Sequence, residues 1–309
     1  MNFIQLMQSS LPALVTMCVL LGLLMGSFIN VVIFRLPRML EREWRLQAID
    51  LLVEGEESAA TKEPWVKARA VLKDAGSLLR AAPRYDLVVP RSACPSCGHH
   101  ISALENIPVL SFLILRGQCA GCKSPISVRY PVVELVSAVL AGVVAWRFGF
   151  SMATLGALVL MWCLLALTLI DVDTQLLPDD ITLPLVWAGL LFNLSSTFVP
   201  IATAVTGAIA GYLTLWSVYW LFKFATGREG MGYGDFKLLA ALGAWLGWKM
   251  LPQIILLSSL VGAVVGIGLM VLAKRGRHVP IPFGPYLAAA GLISLFWGES
   301  INQAYLHLI

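Results

Sequence analysis

The sequence predicts an all-α polytopic membrane protein with about eight transmembrane helices and a small cytoplasmic domain between the first two. Of its 309 residues, 58% are hydrophobic and 13% are charged, whereas a soluble protein carries about 25% charged residues. Apolar runs of about 20 residues recur along the chain, and each is long enough to cross a bilayer as a helix. We predict spans at about 11–34, 130–149, 152–170, 181–199, 201–224, 234–250, 252–273 and 281–298.

One large polar region, residues 35–129, follows the first span. Fourteen of the 22 Lys and Arg residues lie in it, so the positive-inside rule places it in the cytoplasm. When the eight spans are threaded from that anchor, 20 of the 22 basic residues are cytoplasmic and both termini lie outside. No Lys or Arg precedes Arg35, so the first span lacks the basic region of a cleaved signal peptide and is expected to be retained. Within the polar region, we expect amphipathic helices over 38–86, interrupted by an acidic loop at 54–63.

Two C-x-x-C pairs in the polar region indicate a metal site. Cys94 and Cys97 are separated by 21 residues from Cys119 and Cys122, which is close to the spacing of a zinc ribbon. Four thiolates fill the tetrahedral shell of zinc and leave no position for water, so the predicted zinc is structural. Two disulfides are the alternative interpretation, but disulfides are rare in the reducing cytoplasm.

Carboxylates cluster at the cytoplasmic ends of the predicted spans. Asp171 and Asp173 end the third span, Asp179 and Asp180 begin the fourth, and Asp235 begins the sixth. Capping of a helix N-terminus explains Asp179 and Asp180, because acids there offset the helix dipole. It does not explain Asp171, which lies at a helix C-terminus where negative charge is disfavoured.

The positions of Asp171 and Asp235 on their own helices favour a neutral Asp171 and an ionised Asp235. Two carboxylates in different protonation states can hydrolyse a peptide, because one takes a proton from water while the other polarises the carbonyl. A cation or proton site in an ion-coupled transporter is an alternative that the spacing leaves open. The sequence contains no H-E-x-x-H or G-x-S-x-G motif, so an aspartyl mechanism is the hydrolytic chemistry that remains.

Motifs along nearly the whole chain point to one family. They include Gly26-Ser-Phe-Ile-Asn-Val31, both C-x-x-C pairs, Arg129-Tyr-Pro-x-x-Glu134-Leu, Asp171-x-Asp-x-x-x-Leu-Pro-Asp179, Gly232-Tyr-Gly-Asp235 and Ile281-Pro-Phe-Gly-Pro285. Taken jointly, they resemble the type IV prepilin peptidases, which are membrane aspartyl proteases with a G-x-G-D motif.

The resemblance implies an activity and a set of site residues. Members of the family remove the basic leader of prepilins and pseudopilins on the cytoplasmic side, at a Gly-Phe junction. The cysteine-bearing domain resembles that of members that also methylate the new N-terminal residue with S-adenosylmethionine. The motifs assign no residue to that cofactor. Carried over by motif, the catalytic pair is Asp171 and Asp235. Candidates for supporting the site or binding the leader are Asp173, Asp179, Asp180, Gly232 and Gly234.

The predicted organisation has three parts: a first span at 1–34, a cytoplasmic domain with a four-cysteine zinc site at 35–129, and a seven-span aspartyl protease domain at 130–309. We expect the protein in the bacterial inner membrane, with both termini in the periplasm and the active site facing the cytoplasm. The expected partners are precursors of a type IV pilus or type II secretion system and the lipid bilayer, with no nucleic acid.

Overall fold

The computed structural model describes residues 2–54, 63–272 and 281–306, which form eleven α-helices and no β-strand. The helices are α1 (Phe3–Ser9), α2 (Leu11–Glu54), α3 (Glu63–Ala81), α4 (Leu110–Ile114), α5 (Arg129–Phe148), α6 (Met152–Thr174), α7 (Asp179–Leu194), α8 (Ile201–Thr226), α9 (Tyr233–Leu246), α10 (Leu251–Leu272) and α11 (Gly284–Leu306). The predicted all-α fold is confirmed.

The predicted count of eight spans is not confirmed. Within the described residues, five helical segments are long and apolar enough to cross a membrane: α2, α5, α6, α8 and Trp248–Leu269, which includes most of α10. The predicted spans in α7, α9 and α11 are not among them. Helix α7 has 16 residues and α9 has 14, so at 1.5 Å per residue both are shorter than the hydrocarbon core of about 30 Å.

Helix α2 runs without a break from the first predicted span into the polar region of residues 35–129. It has 44 residues and is therefore about 66 Å long, roughly twice the thickness of the hydrocarbon core. The predicted boundary between 34 and 35 lies inside this helix. Helix α3 packs back against its far end, where Arg80 pairs with Asp50. The expected helices over 38–86 are therefore present, while most of the expected acidic loop, at 55–62, lies outside the described residues.

Helix α9 lies in the centre of the C-terminal helices rather than at their surface. Nearly every residue from Asp235 to Leu246 is buried, because α7, α8 and α11 all pack against it. The contact with α8 is backbone to backbone: a Cβ atom added to Gly207 would lie 2.3 Å from the carbonyl oxygen of Gly243. A helix that is enclosed by other helices does not need the length of a lipid-facing span.

The buried side chain of Asn193, near the end of α7, holds the end of α9 in place. Its amide nitrogen donates to the carbonyl oxygens of Ala244 and Trp245 at 2.9 and 3.1 Å. Its amide oxygen accepts from the backbone N–H groups of Phe198 and Val199 at 3.0 and 3.1 Å. The two carbonyls belong to the last turn of a helix and lack partners within it, so one side chain satisfies several helix-end groups.

We expect the substitution Asn193→Ala to destabilise the protein by about 2–4 kcal/mol, because it leaves buried N–H and C=O groups without partners. Thermal unfolding in detergent, followed by circular dichroism, measures the loss. Asn302→Ala is the matched control, since Asn302 donates to a single carbonyl, that of Lys249, at 3.4 Å. Equal midpoints for Asn193→Ala and Asn302→Ala would contradict the role of Asn193.

Candidate active site

Asp171 and Asp235 are brought together by the ends of two helices. Asp171 lies in the last turn of α6 and Asp235 in the first turn of α9. Their exposed fractions are 5% and 6%, and the segments that carry them meet at Leu177, which contacts the positions of Gly234 and Gly284, the latter next to the carboxyl group of Asp171. Two neighbouring carboxylates in a buried site cannot both ionise without a large cost, so the pair is suited to sharing one proton.

The side chain of Leu177 joins the segments that carry this pair. Leu177 is buried and lies in the short connection between α6 and α7. A Cβ atom added to Gly234 would lie 2.6 Å from the Cβ atom of Leu177. A Cβ atom added to Gly284 would lie 3.1 Å from one of its methyl groups. The α6–α7 connection, the start of α9 and the start of α11 therefore meet at one leucine, and glycine at 234 allows that approach.

The two carboxyl groups have different hydrogen-bond partners. The backbone N–H of Gly284 donates to Oδ2 of Asp171 at 3.0 Å. Oδ1 of Asp235 is buried, and no donor reaches it among the residues that the structure describes. Asp171 thus receives an N–H group from the N-terminus of α11, which favours negative charge there despite its position at the end of α6.

Two of the three predicted supporting acids are held by basic side chains. Arg129 makes a two-pronged ion pair with Asp173, with distances of 2.8 and 2.7 Å. Lys237 contacts both carboxylate oxygens of Asp179 at 2.6 and 2.7 Å. Asp180 is exposed at the start of α7. The first pair ties the start of α5 to the end of α6, beside Asp171, and the second ties α7 to α9.

Gly232 precedes α9 as its N-terminal cap residue, and the preceding loop is held by α8. Lys223 donates to Glu229 at 2.8 Å and to the hydroxyl of Tyr219 at 3.2 Å. The hydrogen bond from Lys223 lowers the pKa of Glu229. Tyr233, the first residue of α9, lies against Tyr219, with ring centroids 5.3 Å apart and ring planes tilted by 51°. These contacts fix the loop from which Asp235 enters α9.

The four predicted metal ligands converge in the polar region that follows the first span. The sulfur atoms of Cys94, Cys97, Cys119 and Cys122 all lie within 4.8 Å of one another. The distances are 3.8 Å for Cys94–Cys122 and 4.0 Å for Cys97–Cys119. Tetrahedral zinc with bonds of about 2.3 Å holds its sulfur ligands about 3.8 Å apart, so the four residues fit a zinc ion. All four are free thiols, and the disulfide interpretation is not supported.

The two cysteine pairs have the same backbone pattern. In the first, the N–H of Cys94 donates to the carbonyl of His99, and Gly98 donates back to the carbonyl of Cys94, both at 2.9 Å. In the second, the N–H of Cys119 donates to the carbonyl of Ser124 at 2.9 Å, and the N–H of Lys123 donates back to the carbonyl of Cys119 at 3.0 Å. Gly98 and Lys123 both have positive φ, at 72° and 61°. Backbone N–H groups of Ser96 and Cys97 lower the pKa of the Cys94 thiol to about 6, which favours the thiolate that a metal requires.

Several residues that shape the site were not singled out by the sequence analysis. Arg129 and Gly284 stood in quoted motifs, but nothing local indicated which carboxylate each would contact. Lys237 counted only as one of the 20 basic residues on the predicted cytoplasmic side, and Leu177 stood in a quoted motif. The contacts of Arg129, Lys237 and Gly284 with Asp173, Asp179 and Asp171 span between 44 and 113 residues of sequence, so spacing along one helix could not reveal them.

Comparison with known proteins adds an independent finding. Residues 20–148 match the model of the bacterial peptidase A24 N-terminal domain, and residues 158–267 match the model of the type IV leader peptidase family. No solved structure matches the chain.

Among the relatives that match the chain, three illustrate the similarity, and each is named prepilin leader peptidase/N-methyltransferase. The one from Aeromonas salmonicida is 56% identical over 290 residues, covering 94% of this chain and 93% of the relative. That from Pseudomonas aeruginosa is 51% identical over 300 residues, covering 96% of each chain. That from Burkholderia pseudomallei is 50% identical over 283 residues, covering 91% and 84%. With this identity along almost its entire length, the chain belongs to the type IV leader peptidase family.

Proposed function

We propose that this protein is a membrane aspartyl endopeptidase that removes the basic leader of prepilin or pseudopilin precursors and methylates the new N-terminal residue. The observation that carries the peptidase activity is the buried pair of Asp171 and Asp235 at two converging helix ends. The relatives are named as enzymes along nearly the full chain, which leaves the transporter alternative without support.

In the proposed reaction, one carboxylate of the pair is ionised and the other carries a proton. The ionised group takes a proton from water as the water oxygen attacks the scissile carbonyl carbon, and the protonated group gives its proton to the carbonyl oxygen. When the tetrahedral intermediate collapses, the C–N bond breaks and the amine leaves with the proton that came from water. The second carboxyl group regains its proton from the intermediate, so the pair is restored.

The cleavage site is proposed to face the cytoplasm, where a basic leader stays. Support comes from Arg129, which pairs with Asp173 two residues after Asp171, and from Lys237, which follows Asp235 in α9, because basic residues accumulate on the cytoplasmic side. Asp173 and Asp179 already bind these cations. Of the three predicted supporting acids, Asp180 is the one for which the described residues show no ion pair, so its charge is available to attract a basic leader.

Methylation uses S-adenosylmethionine, which supplies the methyl group in the proposed second activity. No residue in the described part of the chain is assigned to this cofactor. We further propose that a structural zinc ion is bound by Cys94, Cys97, Cys119 and Cys122. The ion would cross-link the two cysteine pairs of the cytoplasmic region, and its four thiolate ligands would leave no coordination position for water or substrate.

We expect Asp171→Asn and Asp235→Asn each to lower the rate of leader cleavage by about 10²- to 10⁴-fold, because each removes one proton-transfer group. A purified prepilin incubated with each variant in detergent and analysed by gel mobility measures the rate. Asp173→Asn is the control, since Asp173 is paired with Arg129 and transfers no proton; its rate should stay well above those of the other two. Wild-type activity in either Asp171→Asn or Asp235→Asn would exclude the assigned pair.

Protein purified without chelator should contain about one zinc per chain, and Cys94→Ser should lose it, because three thiolates bind zinc less tightly than four. Elemental analysis by mass spectrometry measures the content. Cys163→Ala is the control, because Cys163 lies in α6, outside the cluster. A zinc-free wild type, or a Cys94→Ser variant with its full zinc content, would overturn the metal site.

A further inference from the structure

We propose that Gly284 is a positioning residue of the catalytic pair, and that its backbone N–H selects Asp171 as the carboxylate that activates water. The proposal rests on the peptidase activity proposed above and adds a third segment, the start of α11, to its site. Three observations carry it: a hydrogen bond, a close contact and the different surroundings of Asp235.

The hydrogen bond joins two groups that would otherwise lack partners. Gly284 is the first residue of α11, so its N–H has no acceptor within the helix. It donates to Oδ2 of Asp171 at 3.0 Å, and the bond is buried. Pro285 follows and has no N–H, so the N–H of Gly284 is the donor that the first two residues of this helix offer. Asp171, from another helix, thus caps the N-terminus of α11, where a negative charge is stabilised.

The close contact shows why residue 284 must lack a side chain. A Cβ atom at this position would lie 2.6 Å from Oδ2 and 3.2 Å from the carboxyl carbon of Asp171. It would also lie 3.1 Å from a methyl group of Leu177. Since Leu177 packs against Gly234 as well, a side chain at 284 that pushed Leu177 aside would also disturb the contact with the start of α9. Any side chain at 284 therefore displaces the group that the N–H holds.

Its position at the start of α9 alone favours an ionised Asp235, but the surroundings of its carboxyl group favour the protonated form. Its Oδ1 atom is buried without a donor among the described residues, and a buried carboxylate oxygen without a hydrogen bond is costly unless it is protonated. The shared proton is accordingly placed on Asp235, which donates it to the scissile carbonyl oxygen. Asp171, held by Gly284, takes the proton from the attacking water. No other reactant is required, and both groups return to their starting state when the C–N bond has broken.

The first test compares two alanine substitutions in the same helix. In Gly284→Ala, the new Cβ meets the Asp171 carboxylate at 2.6 Å; in Gly291→Ala, it meets a methyl group of Leu242 at 2.5 Å. The two substitutions in α11 cause similar steric overlap, but only the new Cβ atom at 284 contacts the catalytic pair. We expect Gly284→Ala to lower kcat for prepilin cleavage about 100-fold with KM within about threefold of wild type. Gly291→Ala should retain kcat within about threefold, since a flexible apolar side chain can move.

Two further readouts separate positioning from misfolding. The thermal unfolding midpoint, and methylation of a pilin supplied without its leader, require no peptide hydrolysis and should be preserved in Gly284→Ala. If they are lost, the deciding variant has glycolic acid in place of Gly284, introduced by nonsense suppression in cell-free synthesis. The resulting ester lacks the N–H and adds no atoms that crowd the site. Loss of one hydrogen bond to a charged group predicts a kcat about 10- to 100-fold lower.

The outcomes are distinct. A wild-type protein that leaves prepilin uncut contradicts the proposed function itself. An active wild type together with a Gly284→Ala variant of wild-type kcat overturns the role of Gly284 alone. An equal loss of kcat in Gly284→Ala and Gly291→Ala, or an ester variant of wild-type kcat, also overturns it. A selective loss of kcat in Gly284→Ala, or in the ester variant, supports it.

Discussion

The burial of two neighbouring carboxyl groups is the constraint on which the rest of this structure depends. Asp171 and Asp235 are almost completely removed from solvent, and such a pair is unfavourable unless a proton is shared and donors are supplied. The chain supplies a donor to Asp171, and the proposed shared proton is placed on Asp235. The backbone N–H of Gly284, at the N-terminus of α11, donates to Asp171. Asp235 lies in the first turn of α9.

Bringing those helix ends together requires close packing at a few points. Leu177 contacts the positions of both Gly234 and Gly284, so one side chain sets the spacing between the α6–α7 connection, α9 and α11. Farther along α9, the backbone contact with α8 and the four hydrogen bonds of Asn193 fix the other end of the helix. The ion pair Arg129–Asp173 connects α5 to α6, and the ion pair Lys237–Asp179 connects α7 to α9. The helix that carries Asp235 is thus held at both ends.

The sequence predicted what depends on local pattern. The cluster of four cysteines followed from the spacing of two C-x-x-C pairs, and the helical class followed from composition and apolar runs. The number of spans did not, because hydropathy reports that α9 is apolar but not that other helices surround it. The position of Asp171 on α6 favoured its neutral form, whereas the N–H of Gly284, 113 residues away, favours the opposite. Contacts of this kind arise only when the helices are assembled.

The central claim is that Asp171 and Asp235 act as one catalytic unit, and a double-variant comparison tests it most directly. Residues that act as a unit show losses that do not multiply. Mass spectrometry of a prepilin incubated with Asp171→Asn, Asp235→Asn and the double variant would report the residual rate of leader removal in each. We predict that the double variant cleaves no more slowly than the slower single variant. A loss in the double variant equal to the product of the two single losses would contradict a shared catalytic step.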